Sequence, residues 1–433
     1  MRKLSPIITI VLSFMIVIVI GTLLLKLPIS SVEEHRLSWV DSLFISTSAI
    51  CVTGLSPVAD LGATLTLFGK IVLVLLIQIG GLGFITIAVY VLVLAGVKIG
   101  IEDRQLVKEA LNQESVRGLM KLVKRIIVIV FAVEFSGFVI LFFYFLTHFE
   151  FWDALGNAAF HAISAFNNCG FDLIGDSSFL VYKDSVVLNI TIMLLVMSGG
   201  IGFIVIDDII KKGFRFRKYN THTVLVLKTS LVLWISGMLL LKITEGDNIT
   251  WLQAAFQSVS ARTAGFATMD MTKLSNGGVL VIIVLMFFGA APCSTGGGVK
   301  VTAVYAIFKA IVSYAKGGTR PMVRGKMISP RTVYKAFVLV ALAVGVIVFS
   351  VFLMSLIEPE VTMDRLMLEV TSAFGTVGFS MGLTPNLHPL GKLVLVPVMF
   401  VGRLGPLTMI ALLNRRKYSA SKIGYVEENL IIG

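Results

Sequence analysis

The sequence predicts an all-α polytopic membrane protein built from four helix–pore-loop–helix repeats around a pseudo-fourfold central pore. Three observations lead to this fold class. Of 433 residues, 56% are hydrophobic and only 14% are charged. Long and short apolar runs follow one another in an order that repeats four times. The basic residues are concentrated in alternate connecting segments.

The composition lies far from that of soluble globular proteins and indicates many membrane helices. A net charge of +12 could suggest nucleic-acid binding, but in a membrane protein the position of the basic residues is more informative, and we expect no nucleic-acid partner. Cys51, Cys169 and Cys293 form no CxxC pair, so the sequence predicts neither a disulfide framework nor a zinc site.

The N-terminal basic residues Arg2 and Lys3 and the apolar run that follows, up to Leu25, resemble a signal peptide. The run is about 20 residues long, which exceeds a typical signal-peptide core, and no small-x-small cleavage site follows it. We therefore expect a retained first transmembrane helix.

Eight long apolar runs mostly reach the roughly 20 residues that a membrane-spanning helix needs. They cover 5–25, 66–95, 124–147, 184–206, 222–243, 277–291, 332–357 and 389–413. Four shorter runs of about 14 to 18 residues suit re-entrant pore helices. They cover 38–51, 151–168, 250–263 and 362–376. This order predicts eight transmembrane helices and four re-entrant helices.

Lysine and arginine are frequent in 96–125, 211–218, 316–335 and the tail, whereas the intervening loops are acidic or mixed. Every basic segment falls on one side only if each short run enters the membrane and returns to the same side. The positive-inside rule then predicts a multi-pass protein of the cell membrane with both termini cytoplasmic. The predicted divisions are repeat 1 (1–95), a cytoplasmic amphipathic linker (96–123), repeat 2 (124–218), repeat 3 with a broken last helix (219–316), repeat 4 (317–413) and a cytoplasmic tail (414–433).

Each short run ends in a related motif with glycine in third place and a large apolar residue after it. The motif residues up to the glycine are Val52, Thr53, Gly54; Asn168, Cys169, Gly170; Thr263, Ala264, Gly265; and Thr376, Val377, Gly378. One such glycine alone is more often a helix-packing residue. Four in equivalent places predict a ring of backbone carbonyls, and helix C-terminal ends that stabilise a desolvated cation. A second glycine pattern, at 80–83, 199–202 and 402–405, is expected within the long helix that follows the first, second and fourth motifs.

At these motifs the sequence resembles the Trk/Ktr/HKT superfamily of potassium transporters over nearly the whole chain, most closely KtrB-type pore subunits. The resemblance implies that the twelve motif residues form a potassium selectivity filter. Gly54 favours potassium, because serine at the first of the four glycine positions accompanies sodium preference in plant relatives. Cys169 and Ala264 depart from the pattern only in their side chains.

The sixth long run is interrupted by a segment that cannot continue an ordinary helix. Its residues are Gly289, Ala290, Ala291, Pro292, Cys293, Ser294, Thr295, Gly296, Gly297 and Gly298. A phosphate-binding loop lacks support because the GxxxxGK[ST] spacing is missing, and a kinked helix end remains the simpler alternative. The resemblance implies a flexible intramembrane gate beneath the filter. Arg403, about 18 Å along its helix from the basic tail, is too deep to reach the interface, so we expect it to face the pore and act with this loop.

Four other polar residues lie in apolar runs: Glu134, Arg262, Glu369 and His161. For Glu134, Arg262 and Glu369, structural pairing within the bundle is favoured over direct ion binding. A lone histidine without further ligand types nearby is more often a hydrogen-bonded core residue than a metal ligand.

The resemblance implies potassium uptake, with K⁺ as substrate, Na⁺ as a coupling or activating ion and no bound cofactor. It also implies a homodimer regulated by a cytoplasmic ring of nucleotide-binding RCK subunits of KtrA type, in contact with membrane lipids. A sodium or mixed-cation conductor of the same fold remains open. An enzyme is disfavoured because the histidines form no HExxH motif and no pair of aspartates lies in mid-span.

Overall fold

The structure is a computed structural model that describes residues 6–83, 108, 119–175, 178–213, 215–318, 320–406 and 408. Most of the predicted linker at 96–123 and the whole predicted tail at 414–433 lie outside these residues. The predictions for those two segments therefore stay predictions.

Helices dominate the described residues. In the first half of the chain they are α1 (Pro6–Lys26), α2 (Trp39–Cys51), α3 (Leu61–Thr64), α4 (Leu67–Leu82), α5 (Leu119–Phe145), α6 (Phe151–Phe166), α7 (Val186–Gly200) and α8 (Phe203–Lys212). In the second half they are α9 (Thr221–Glu245), α10 (Trp251–Ser260), α11 (Asn276–Phe287), α12 (Val301–Ala315), α13 (Pro330–Ile357), α14 (Met363–Gly375) and α15 (Pro389–Leu404).

Short 3₁₀ turns connect several of these helices. They are Pro28–Ser30, Glu33–His35, Ser178–Tyr182, Phe216–Lys218, Gly246–Asn248, Met271–Lys273 and Thr384–Asn386. A small antiparallel hairpin between α12 and α13 departs from the all-α prediction. Its strands are β1 (Met322–Val323) and β2 (Lys326–Met327), and Gly325 between them has a positive φ of 75°.

Several helices begin at a capping side chain, although the helices at Phe151 and Met363 begin without one. The Ser38 hydroxyl accepts a hydrogen bond from the Asp41 amide at the start of α2, and Ser329 does the same for Thr332 at the start of α13. At the start of α10, Thr250 and Gln253 form a reciprocal capping box. The four short runs thus become helices whose starts agree with the sequence prediction to within one residue.

Among the described residues, four helical stretches are long and apolar enough to cross a bilayer: Ile7–Lys26, Met120–Phe145, Thr221–Asn248 and Pro330–Ile357. The pair α7 and α8 qualifies as a fifth if its bend of 99° lies within one span. These findings confirm a helical chain with several membrane-length apolar helices. The count of eight spans stays a prediction, because α4, α11 and α12 are shorter and α4 ends beside residues 84–107, which the structure does not describe.

The short helices lie inside, and the long helices surround them. The second half of α14, from Leu368 to Gly375, is buried throughout, whereas α5 exposes Phe131, Phe135 and Phe143. Large apolar side chains on an outer surface are expected where lipid replaces water as the solvent. This arrangement leaves the C-terminal ends of α2, α6, α10 and α14 in the interior.

An ion pair joins the first and last parts of the chain. Lys392 on α15 donates to the Asp41 carboxylate on α2 at 2.8 Å, and their side chains are only 10% and 20% exposed. Asp41 also accepts from the Ser38 hydroxyl at 2.6 Å. This pair fixes the start of α2 against the last helix of the described chain.

We expect Asp41→Asn to destabilise the protein by about 3 kcal/mol, because it leaves the buried Lys392 ammonium without its counter-charge. Thermal unfolding of the detergent-solubilised protein measures this effect, and the double variant Asp41→Asn with Lys392→Met should recover most of it. Glu33→Gln is the matched control, since Glu33 and Arg36 form an exposed pair at 3.5 Å. Equal melting temperatures for Asp41→Asn and the unmodified chain would contradict the prediction.

Candidate functional site

At the end of each short helix the chain turns through a residue in the left-handed region of backbone conformation. Non-glycine residues seldom adopt this conformation, because Cβ then crowds the following carbonyl. The four residues are Val52, Asn168, Thr263 and Thr376, with φ of 58°, 57°, 93° and 51°. The glycine two positions later again has a positive φ. These glycines are Gly54, Gly170, Gly265 and Gly378, with φ of 85°, 80°, 81° and 105°.

We call the four stretches 52–54, 168–170, 263–265 and 376–378 the glycine segments. Their first two residues are fully buried, at 0% exposure in every case. No carboxylate belongs to any of them, so the polar atoms that they offer are backbone groups and the side chains of Thr53, Asn168, Thr263 and Thr376.

A serine in each short helix supports the segment that follows. Its carbonyl oxygen accepts a hydrogen bond from a backbone N–H of the segment. The N–H groups are those of Thr53 (to Ser48 O, 2.7 Å), Cys169 (to Ser164 O, 2.8 Å), Gly265 (to Ser260 O, 3.2 Å) and Val377 (to Ser372 O, 2.9 Å). In three cases the hydroxyl takes part as well. Ser164 donates to Phe171 O, Ser260 donates to Phe266 O, and Ser372 accepts from Gly378 N. These four serines were not among the residues predicted for the site.

The four glycine segments meet in a closed cycle. A Cβ added at each of the four glycines would collide with a backbone carbonyl oxygen of the next segment, and the last segment returns to the first. The pairs are Gly54 with Cys169, Gly170 with Ala264, Gly265 with Val377, and Gly378 with Thr53. The structure thus brings together all twelve residues that the sequence predicted as one site. Glycine is needed because both the backbone angle and the close approach exclude a side chain.

The second glycine pattern lies at the ends of helices, so its first residues are within a helix as predicted and its last glycine is not. Gly83 and Gly405 directly follow the last residues of α4 and α15, Gly202 separates α7 from α8, and all three have a positive φ. The first glycine of each pattern lies against the last turn of the short helix in the same repeat. A Cβ at Gly80, Gly199 or Gly402 would collide with the carbonyl oxygen of Ile50, Phe166 or Phe374, respectively.

The predicted intramembrane loop joins α11, which ends at Phe287, to α12, which begins at Val301. Its backbone bonds to two of the helix breaks. Ala291 N donates to Gly200 O at 3.0 Å, Phe203 N donates to Cys293 O at 2.8 Å, and Gly298 N donates to Gly402 O at 3.2 Å. The chain is thus irregular between α11 and α12, and several backbone groups of this loop are satisfied by protein groups.

The same loop contacts the first residues of three glycine segments. Gly297 N donates to Thr376 Oγ1 at 3.0 Å. Thr295 Oγ1 lies 3.1 Å from the Asn168 amide, whose better orientation places its nitrogen toward Thr295. A Cβ at Gly296 would collide with Thr263 Oγ1. The loop therefore lies against the ends of the glycine segments that are nearest their helices.

Arg403 extends this contact to the first repeat. Its guanidinium donates to the carbonyls of Thr295, in the loop, and of Gly80, in α4, and also to Gly81 O at 3.3 Å. Lys300 adds a second cation, because its ammonium donates to Gly296 O at 2.6 Å. Lys300 was not among the predicted site residues, although a lysine two positions after three glycines was a signal in the sequence.

Glu134, Glu369 and His161, which the sequence singles out, each have hydrogen-bond partners. Glu134 accepts hydrogen bonds from Gln78 at 3.2 Å and from Asn167 at 3.0 Å, and Glu369 accepts from Ser380 at 2.8 Å and from the Thr384 hydroxyl. His161 Nδ1 donates to Asn157 O at 2.7 Å, and its Nε2 accepts from Leu173 N at 3.3 Å. These contacts agree with a structural role for each residue. Within the described ranges, no group of three or more His, Cys, Asp or Glu side chains could hold a metal ion.

Comparisons with known proteins agree on one family. The family model for TrkH, described as cation transport protein, matches residues 3–421. The Ktr system potassium uptake protein B of Bacillus subtilis is 37% identical over 98% of this chain and 95% of that protein. The potassium/sodium uptake protein NtpJ of Enterococcus hirae is 34% identical over 100% of this chain and 98% of that protein.

A crystal structure of the potassium transporter TrkH from Vibrio parahaemolyticus has the same fold. The TM-score is 0.75 at 20% sequence identity, and the match covers 96% of this chain and 86% of that one. At this identity the likeness concerns the fold.

Proposed function

Because this chain belongs to the TrkH family of cation transport proteins, we propose that it is the pore-forming subunit of a potassium-uptake transporter in the cell membrane. The closed cycle of the four glycine segments carries this proposal. Such a cycle surrounds a single axis with backbone carbonyls, which is the arrangement that replaces the hydration shell of K⁺. Membership of this family confirms two predictions from the sequence: the resemblance to Trk and Ktr proteins, and the expectation that the chain is a transporter and not an enzyme.

In the proposed mechanism K⁺ loses its water at the glycine segments and binds their carbonyl oxygens. The C-terminal ends of α2, α6, α10 and α14 add partial negative charge beneath the segments. The site has no formal anion, so it stabilises K⁺ without holding it too tightly to conduct. Potassium selectivity then depends on the four glycines as a set, because each keeps the carbonyl of the next segment in place.

We further propose the architecture that the sequence predicts. Four repeats, with divisions at 95, 123, 218, 316 and 413, would supply eight spans and four pore helices, and both termini would face the cytoplasm. The repeated serine support and the repeated glycine breaks favour this plan.

The 289–298 loop and Arg403 would limit the flux of ions. In the described structure the loop bonds to the second and fourth glycine segments, packs against the third, and reaches the first repeat through Arg403. Ions that leave the glycine segments would then meet both the loop and a positive charge. Release of the loop would open the path.

The partners and coupling ion are proposed from the relatives. The name of the Bacillus subtilis relative describes it as protein B of a system, which favours a second component. We propose a cytoplasmic nucleotide-binding RCK ring of KtrA type, a homodimer of this chain, and sodium as the coupling or activating ion.

The second candidate is a conductor of sodium or of both cations with the same fold. It is favoured by the Enterococcus hirae relative, which is called a potassium/sodium uptake protein. Gly54 in place of serine favours potassium, so this candidate stays second.

The deciding experiment is growth of a potassium-uptake-deficient bacterium that carries this chain. We expect growth at low potassium, with faster uptake when an RCK partner is present and sodium is added. Initial rates with potassium alone and with sodium alone separate the two candidates. Failure to grow with and without the partner, at every sodium concentration, would count against potassium uptake.

A further inference from the structure

Arg262 lies immediately before the third glycine segment, yet its side chain contacts the loop. The residue is 4% exposed. Its Nη2 donates to Gly289 O at 3.1 Å and its Nε to Phe288 O at 3.4 Å, while Nη1 lies 3.5 Å from Ser230 O. The guanidinium carbon is 5.6 Å from the centre of the Trp234 ring.

The two shorter bonds fall where α11 stops. Phe288 and Gly289 directly follow the last residue of this helix, where carbonyls lack partners within the helix and the helix dipole is negative. A cation at this place donates hydrogen bonds to these carbonyls and interacts favourably with the negative end of the helix dipole. Arg262 therefore stabilises the point at which helix changes into loop.

The charge of Arg262 is balanced by carbonyls rather than by a carboxylate. In the part of the chain that the structure describes, none of the ion pairs involves Arg262. A buried guanidinium supported only by backbone dipoles and one aromatic face depends strongly on each of those contacts. One of the three carbonyls, Gly289 O, belongs to the 289–298 loop, and another, Phe288 O, directly precedes it.

The neighbouring residue contacts the other end of the loop. Thr263 lies so close to Gly296 that a Cβ there would collide with its hydroxyl. The cavity that Arg262 lines with Asn168, Ser230, Trp234 and Ala290 has a volume of only about 10 Å³, which is the least that one water needs. The loop is therefore closely packed against the base of the third glycine segment.

We propose that Arg262 is a positioning residue that holds the first residues of the 289–298 loop beneath the third glycine segment and so controls how readily the loop leaves the ion path. This inference rests on the proposed gating function of the loop. Arginine suits the task because its planar fork can bond several carbonyls at once, whereas lysine offers a single compact ammonium.

Labelling of Cys293 tests the position of the loop directly. Cys293 lies in the loop and is partly exposed, whereas Cys51 and Cys169 are fully buried, and none of the three forms a disulfide. A membrane-impermeant maleimide is applied to inside-out vesicles, and the labelled peptides are quantified by mass spectrometry. We expect Arg262→Gln to raise the labelling rate of Cys293 by about threefold to tenfold, the range that corresponds to the net contribution of one typical hydrogen bond.

The two buried cysteines show whether the change is local. They should stay unlabelled in Arg262→Gln, and labelling of Cys51 or Cys169 at the same rate would reveal general loosening and overturn the proposal. An unchanged rate at Cys293 would overturn it as well. If Arg262→Gln does not accumulate in the membrane, Arg262→Lys decides alone, with a smaller rise at Cys293 expected and no rise contradicting the proposal.

Uptake kinetics supply a second measure that a purely structural role would not reproduce. We expect Arg262→Gln to raise the maximal rate of K⁺ uptake per transporter, with the apparent KM for K⁺ unchanged. Gln257→Leu is the matched control, because Gln257 is a fully buried residue of α10, the helix that ends two residues before Arg262, and its amide contacts Met271 Sδ at 3.2 Å instead of the loop. A lower maximal rate or a changed KM in Arg262→Gln would overturn the proposal.

The two measurements separate this inference from the proposed function. If the unmodified chain fails to transport potassium, the proposed function fails, and Cys293 labelling still judges the role of Arg262. If the unmodified chain transports potassium but neither measure responds to Arg262→Gln, the proposed function stands and this inference fails.

Discussion

Replacing Gly378 by serine should lower the preference for potassium over sodium by about tenfold, which corresponds to about 1.4 kcal/mol. Gly378 has a φ of 105°, and a Cβ there would lie 2.5 Å from the Thr53 carbonyl oxygen. A side chain must therefore displace that carbonyl or strain its own backbone, which costs about 1–2 kcal/mol for a non-glycine residue in the left-handed region. Initial uptake rates of K⁺ and Na⁺ by the variant measure the change.

The control for this variant is Gly156→Ser. Gly156 lies in α6, one of the four short helices, but a Cβ there has no atom within 4 Å, so serine fits. We expect unchanged selectivity in Gly156→Ser. Retained selectivity in Gly378→Ser would show that the glycine segments are not aligned as the filter that we propose.

Removing the Arg403 side chain should raise the maximal rate of potassium uptake by about tenfold, because a nearby positive charge raises the energy of a cation in the path by about 1–2 kcal/mol at an effective dielectric constant near 20. Arg403→Ala also frees the Thr295 carbonyl of the loop and the Gly80 carbonyl of α4. Loss of the charge lowers the energy of the ion in the path, and loss of the hydrogen bond to Thr295 favours departure of the loop. Rates measured over a range of K⁺ concentrations separate the maximal rate from the apparent affinity.

Arg403→Lys separates the effect of the positive charge from the effect of the hydrogen bonds. Lysine keeps the positive charge but cannot bridge three carbonyls, so we expect a smaller rise than in Arg403→Ala. Arg365→Ala is the control for loss of a cation, since Arg365 is exposed on α14. An unchanged maximal rate and an unchanged apparent affinity in Arg403→Ala would contradict the proposal that Arg403 limits the flux of ions.

Local features of the fold could be predicted from the sequence because they depend on residues near one another in the chain. The apolar run 362–376 becomes α14, which ends at Gly375, where Thr376 turns left-handed. The run 38–51 becomes α2, which likewise ends one residue before the left-handed Val52. In both cases an apolar stretch followed by a glycine motif was a sufficient signal.

Contacts between distant segments could not be predicted in the same way. Nothing in the order of residues shows that Gly265 faces the carbonyl of Val377, or that Arg262 bonds to Phe288 and Gly289, because these contacts depend on packing of whole repeats. The pattern at 199–202 was placed within a helix, since glycine pairs occur both inside membrane helices and at their breaks. Only the backbone angle at Gly202 distinguishes the two.

The contact between Lys392 and Asp41 has a consequence for biogenesis. The two residues are 351 positions apart, and the cycle of glycine segments likewise closes between Thr53 and Gly378. During synthesis the first three glycine segments are therefore made before their cycle can close, and they lack the final neighbour. Long-range closure of this kind is slow. A chain that stops before α15 should be a substrate for membrane quality control, however well its first helices have inserted.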